Sequence, residues 1–158
     1  MKSIENASVL VAGVARNVEG VIERDLSALK KALVAFRHVE FLVVESDSSD
    51  ATVKVLERLK KSWSNFNLLI LGDLRNNMAQ RTERLAHCRN QIVNFVVHHK
   101  EKDFDCVVIA DLDGVNTSLT KGGIESCWQS DTEWDVVTAN QNGPYYDIWA
   151  LRHSSWSP

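Results

Sequence analysis

Short runs of apolar, β-prone residues alternate along this chain with stretches whose apolar residues step by three and four, and that alternation leaves few folds open to it. The apolar runs lie at residues 8–14, 41–44, 68–71 and 106–110. Between the first two, Val18, Ile22, Leu26, Leu29, Leu33 and Phe36 form one stripe of a helix. Val53, Leu56, Leu59 and Trp63 form the next, with Ser49 or Asp50 as its cap. A long helix is expected over 78–100, turning Leu85, Cys88, Ile92 and Val96 inward. Parallel strands need crossover connections, and both faces of a parallel sheet need cover. The pattern therefore predicts an α/β three-layer sandwich with a mostly parallel central sheet, Rossmann-like in kind. Beyond the fourth run, a short helix over 121–131 and edge strands over 134–139 and 146–151 complete the reading. Two prolines and seven glycines leave no evident linker, so residues 1–158 read as one domain, with an end at Trp156-Ser157-Pro158 that looks cut.

A chain that is 44% hydrophobic and 25% charged can bury a sizeable core. Its net charge of -3 and pI of about 5.9 speak against nucleic acid or an anionic membrane surface as partner. No apolar stretch approaches the roughly 18 residues of a membrane-crossing helix. Cys88, Cys106 and Cys127 are odd in number and not in metal-ligand spacing, which suits reduced thiols and a cytoplasmic location. Cys88 and Cys106 read as core residues.

In an open parallel sheet, ligands bind at the carboxyl ends of the strands, and the polar residues of this chain gather there. Ala15, Arg16 and Asn17 follow the first run, Glu45 to Asp50 the second, Asp73 the third and Asp111-Leu112-Asp113 the fourth. In extended backbone Asp111 and Asp113 point to one face while Leu112 turns into the apolar layer. Two converging carboxylates repel, and a shared proton or a hard divalent cation such as Mn2+ or Mg2+ relieves that.

Val-Ala-Gly-Val-Ala-Arg-Asn after the first strand, Glu45-Ser46-Asp47-Ser48-Ser49-Asp50-Ala51-Thr52 after the second, Arg84-Leu85-Ala86-His87-Cys88-Arg89-Asn90 in the long helix and the later Asp-x-Asp stand in an order that resembles the nucleotide-sugar half of GT-A glycosyltransferases. The likeness covers about residues 8–115, and a similar Arg-Leu-Ala-x-x-Arg-Asn occurs in capsule-type mannosyltransferases. It implies a glycosyltransferase of hexosyltransferase type that moves a sugar from a nucleoside-diphosphate donor to a glycan or other hydroxyl acceptor. UDP-sugars are the favoured donors, while the capsule-type similarity would suit guanosine. By the same resemblance, Asp113 holds the metal and Asp111 meets metal or ribose. Glu45 and Asp73 meet ribose and base, Arg84 reaches base or diphosphate, Arg81 or Arg84 shares with the metal the charge growing on the leaving diphosphate, and Ala15, Arg16, Asn17 and Asp47 line the donor pocket. A late His, here His153, would be a further metal ligand.

The general base is not evident: Asp131, Glu133, Asp135 and Asp147 are the acids after Asp113, and Asp147 is the candidate. Trp134, Tyr145, Tyr146, Trp149 and Trp156 suit either stacking on sugar faces or packing as edge strands. His98-His99 reads as a solvated helix end. Two other functions stay open. Residues 107–115 also resemble the first motif of haloacid-dehalogenase-like phosphatases, although that motif normally opens its fold; and the chain suits a non-catalytic nucleotide-sugar-binding module.

Overall fold

A computed structural model describes residues 2–98, 103–129 and 134–138. Strands β1 (Ser8–Ala15), β2 (His38–Glu45), β3 (Phe66–Ile70) and β4 (Cys106–Ile109) form one sheet in the order β3-β2-β1-β4, with every pairing parallel. β1 lies at the centre, with Val11 between Phe41 and Val108 and Ala12 between Leu42 and Ile109. That position explains why it reads as an unbroken apolar run: it is buried on both faces.

Side-chain alternation divides the core in two. Val9, Val11, Phe41 and Val43 point toward α1 (Ile22–Ala32) and α2 (Thr52–Ser62), where Leu26, Leu29, Leu56 and Leu59 meet them. Leu10, Ala12, Leu42 and Val44 point the other way, onto Cys88, Ile92 and Phe95 of α3 (Arg81–His98). The fold is the expected α/β three-layer arrangement. Fully burying one of the α1 leucines stabilises it by about 1.5–3 kcal/mol. No described helix is long and apolar enough to cross a membrane.

Several boundaries differ from the periodicity, each for a local reason. α1 begins at Ile22 because the Val18 N–H donates to Thr52 Oγ1 (2.7 Å), which holds the preceding residues in a loop. Trp63, expected on the α2 stripe, ends that helix and packs edge-on against Phe41 and Phe66, at 5.2 and 5.8 Å between ring centroids. α3 starts at Arg81 rather than near Met78, because the Arg84 guanidinium takes the carbonyls of Met78 and Ala79 (both 2.7 Å). Its inward face is Cys88, Ile92 and Phe95, while Val96 is exposed. Residues 134–138 form no strand: Trp134 packs edge-on against Trp128 of α4 (Lys121–Trp128) and its indole N–H donates to the Cys127 carbonyl. The strand expected over 146–151 lies outside the described residues.

The β4 ladder continues past Ile109 through Ala110 N–H to the Ala12 carbonyl (2.9 Å), and the next residues settle the site. Leu112 is buried, 3% exposed, over Gly13 of β1. A Cβ on Gly13 would lie 2.5 Å from the Ala110 oxygen and 2.7 Å from Leu112 Cγ. Gly13→Ala is expected to lower unfolding free energy in urea by about 1–3 kcal/mol, the cost of overpacking a filled core. Gly20→Ala, where an added Cβ meets nothing within 4 Å, should change it by about 0.5 kcal/mol or less. Equal effects at the two positions would contradict this account of Gly13.

Candidate functional site

The loops after β1 and β2 are knitted together, and the residues that do it are those of the Glu-Ser-Asp-Ser-Ser-Asp-Ala-Thr segment. Asn17 and Asp47 both adopt left-handed backbone, φ 52° and 59°, a conformation that Asn and Asp tolerate better than other side chains. The Asn17 N–H donates to Ser48 Oγ (3.0 Å), and Asn17 Oδ1 accepts from the Ser49 N–H (2.8 Å). Asp50 Oδ2 accepts from the Glu19 N–H (3.2 Å), and Glu19 Oε2 accepts from the Ala51 N–H (2.6 Å). Asp50 Oδ1 also accepts from the Thr52 N–H (3.0 Å), but the N-cap position of α2 is Ala51 rather than Ser49 or Asp50, because Asp50 is drawn into this seam. Although burial opposes it, these hydrogen bonds hold the Asp50 carboxyl below the usual range.

Glu45 and Asp47 serve the same seam. Glu45 is 1% exposed, and its carboxylate accepts the Ser48 N–H (3.0 Å). Asp47 accepts the Arg75 N–H on Oδ1 (3.0 Å), pairs through Oδ2 with Arg84 Nε at 3.4 Å and offers its carbonyl to Arg16 Nε (3.3 Å). Arg84 thus joins the start of α3 to the β2 loop.

On the other side, Asp111 and Asp113 emerge exposed on either side of the buried Leu112. Both line one cavity of about 480 Å3 together with Ala15, Arg16, Asn17, Asp47, Arg81, Arg84 and Arg89. Four arginines and three aspartates therefore line that cavity. Arg81 and Arg89 have no ion-pair partner among the described residues. A second cavity of about 400 Å3, at the carboxyl ends of β2 and β3, is lined by Glu45, Asp47, Asp73, Arg75 and Asn76. There Asp73 Oδ2 accepts from Asn76 Nδ2 (3.1 Å), and Asp47 borders both spaces.

Among the described residues no group of three or more His, Cys, Asp or Glu side chains is placed to hold a metal ion. Asp135 is exposed. Asp131, Glu133, Asp147, His153, His99 and the aromatic residues Tyr145, Tyr146, Trp149 and Trp156 lie outside the described residues. The three cysteines are free: Cys88 is buried, with its Sγ 3.3 Å from Ser46 Oγ, and burial pushes the half-buried Cys106 thiol up to about 11.

Two residues that hold the acidic loop, Asp25 and Asn116, escaped the sequence reading. Asp25 of α1 is fully buried and accepts the Gly114 N–H (3.2 Å), the Asn116 N–H (2.9 Å) and Asn116 Nδ2 (2.8 Å). Asn116 Nδ2 donates as well to the Asp111 carbonyl (2.5 Å). Gly114, at φ 103°, makes the turn between them. The available signal was an acid inside an apolar stripe: Asp25 stands between Ile22 and Leu26 on the face that α1 buries.

No family model matches the chain, and no curated protein does. Solved structures similar to it include two that it matches over part of their length. The mannosyltransferase PcManGT from Pyrobaculum calidifontis, in complex with GDP-Man and Mn2+, is 20% identical, with a TM-score of 0.45 over 68% of this chain and 28% of its own. Residues 1–349 of TarS from S. aureus are 16% identical, with a TM-score of 0.48 over 77% of this chain and 31% of their own. This chain spans less than a third of the length of either.

The Asp47–Arg84 pair is enclosed, with side chains 2% and 11% exposed, so removing one partner strands the other. Arg84→Ala is expected to cost about 3 kcal/mol in urea unfolding, the low end for breaking a buried pair. Arg58→Ala, which breaks an exposed pair with Glu23, should cost under about 1 kcal/mol. A cost at Arg84 no larger than at Arg58 would contradict the structural tie.

Proposed function

We propose that this chain is the nucleotide-sugar-binding part of a metal-dependent glycosyltransferase of hexosyltransferase type. The donor is a nucleoside-diphosphate sugar, UDP-sugars first and GDP-sugars next, and the acceptor is a hydroxyl of a glycan or similar molecule. The observation that carries this reading is the meeting of charges of both signs in the larger cavity, Asp111 and Asp113 from one loop and Arg81 and Arg89 from α3, none of them ion-paired among the described residues. A diphosphate answers to both. Guanidinium groups pair with its oxygens directly, whereas carboxylates come close to the same anion only with a cation between.

Asp111 and Asp113 would hold that cation. Two carboxylates suit Mg2+ or Mn2+, which keep waters and substrate phosphates as their other ligands, so a third protein ligand is not a requirement. When bound, such an ion supplies Lewis-acid stabilisation of the leaving diphosphate. Transfer forms a bond from the acceptor oxygen to the anomeric carbon as the bond to a phosphate oxygen breaks; that electron pair goes to the phosphate oxygen, and the acceptor's proton passes to solvent. Arg81 and Arg89 pair with the charge growing there. Asp73, in the smaller cavity, is suited to accept from ribose hydroxyls or base N–H groups. Glu45 shapes that end by holding its own turn, and Asp47 with Arg84 fixes the wall between the two spaces. Ala15, Arg16 and Asn17 border the larger space beside Asp47.

UDP with Mn2+ is expected to raise the melting temperature by about 5–10 °C at ligand concentrations a hundredfold above Kd, because only the folded chain binds them. Asp113→Ala should abolish the metal-dependent part of that rise. A full metal-dependent shift in Asp113→Ala would sink the metal role, and turnover of simple phosphate esters without any nucleoside would favour a phosphatase instead.

A further inference from the structure

Of the residues that α1 buries, Ile22, Asp25, Leu26, Leu29 and Ala32, only Asp25 carries a charge. A carboxylate with no exposure is costly unless its oxygens are hydrogen-bonded, and here the donors to both oxygens come from one place. The Gly114 N–H, the Asn116 N–H and the Asn116 amide converge on its two oxygens from the turn that follows Asp113. The grip reaches the acids themselves: Asn116 Nδ2 also holds the Asp111 carbonyl, and Gly114 adjoins Asp113 in the chain. A Cβ on Gly114 would meet Val21 of the segment leading into α1 at 3.5 Å, in a backbone conformation that side chains disfavour, so the turn sits close on that helix.

We infer that Asp25 is a positioning residue for the Asp111 and Asp113 carboxylates, fixing the loop in its cation-receiving course before any ligand arrives. Two anions on a short loop repel each other, and a loop free to move would separate them. Leu112 anchors the middle of that loop in the core, and Asp25 anchors its far end. The inference rests on the reading of Asp111 and Asp113 as cation ligands, and it adds a residue that touches neither cation nor donor.

The test measures Mn2+ affinity by calorimetry in the presence of UDP, with melting temperature as a separate readout, on the whole chain. Asp25→Asn places an amide N–H2 against donors, so one oxygen's hydrogen bonds are lost with little change in volume. It should weaken Mn2+ binding about ten- to a hundredfold, as loss of a group that orients metal ligands does, in a protein still folded at the assay temperature. Asn116→Ala, at a partly buried turn outside α1, should weaken it in the same direction and provides the measurement if Asp25→Asn does not fold. The double variant should be little worse than Asp25→Asn alone, because both residues act in one network. Wild-type Mn2+ affinity in folded Asp25→Asn, or in Asn116→Ala if that is the variant measured, overturns this inference and leaves the functional reading intact. A wild-type chain that binds no Mn2+ with UDP overturns both.

Discussion

The loop after β4 carries two like charges within three residues, and such a loop keeps a fixed course only if something other than those charges holds it. Leu112 supplies the hold by entering the core directly over Gly13, where β1 has no side chain to obstruct it. Because β1 is an interior strand of the sheet, that contact ties the acidic loop to the best-buried of the described strands. The ladder bond from Ala110 to Ala12 sets the direction of approach, and the buried Asp25 carboxylate closes the turn. Asp111 and Asp113 then face solvent because the residue between them cannot.

The basic half of the site has a different foundation. There the loops of β1 and β2 are joined by hydrogen bonds to serine, threonine and carboxylate side chains, with Asn17 and Asp47 in left-handed backbone at the points of reversal. The enclosed Asp47–Arg84 pair extends the seam to the start of α3. Arg81 and Arg89, two turns apart on that helix, reach the same cavity as the acidic loop. An anion bordered by guanidinium groups in a partly enclosed space is held more strongly than on an open surface, since solvent screens it less.

Much of this was legible in the sequence. The periods of two and three to four gave the order of strands and helices and the parallel sheet, and the alternation around Leu112 placed Asp111 and Asp113 outside and the leucine inside. What escaped was decided by tertiary contacts. Val96 has the right spacing for an inward position on α3, but the helix meets the sheet along Cys88, Ile92 and Phe95. Trp134 has strand-like neighbours, but its ring and indole N–H are taken by Trp128 and Cys127. The resemblance makes Glu45, Asp47 and Arg84 ligand contacts by their place in the motifs, and the fold gives each of them a partner within the protein as well. Asp25 is the instructive case: a charge in an apolar stripe is visible in the sequence, whereas its partners lie about ninety residues away, beyond any local pattern.

The account stands or falls on whether the acidic loop is already fixed in the unliganded protein. Hydrogen–deuterium exchange at the Gly114 and Asn116 amides measures this directly, since both N–H groups are bonded to a carboxylate inside the core. Slow exchange at both, without metal or nucleotide, is the predicted result. Exchange at the rate of an unstructured peptide would show that the loop is held by neither Leu112 nor Asp25, and would contradict the account.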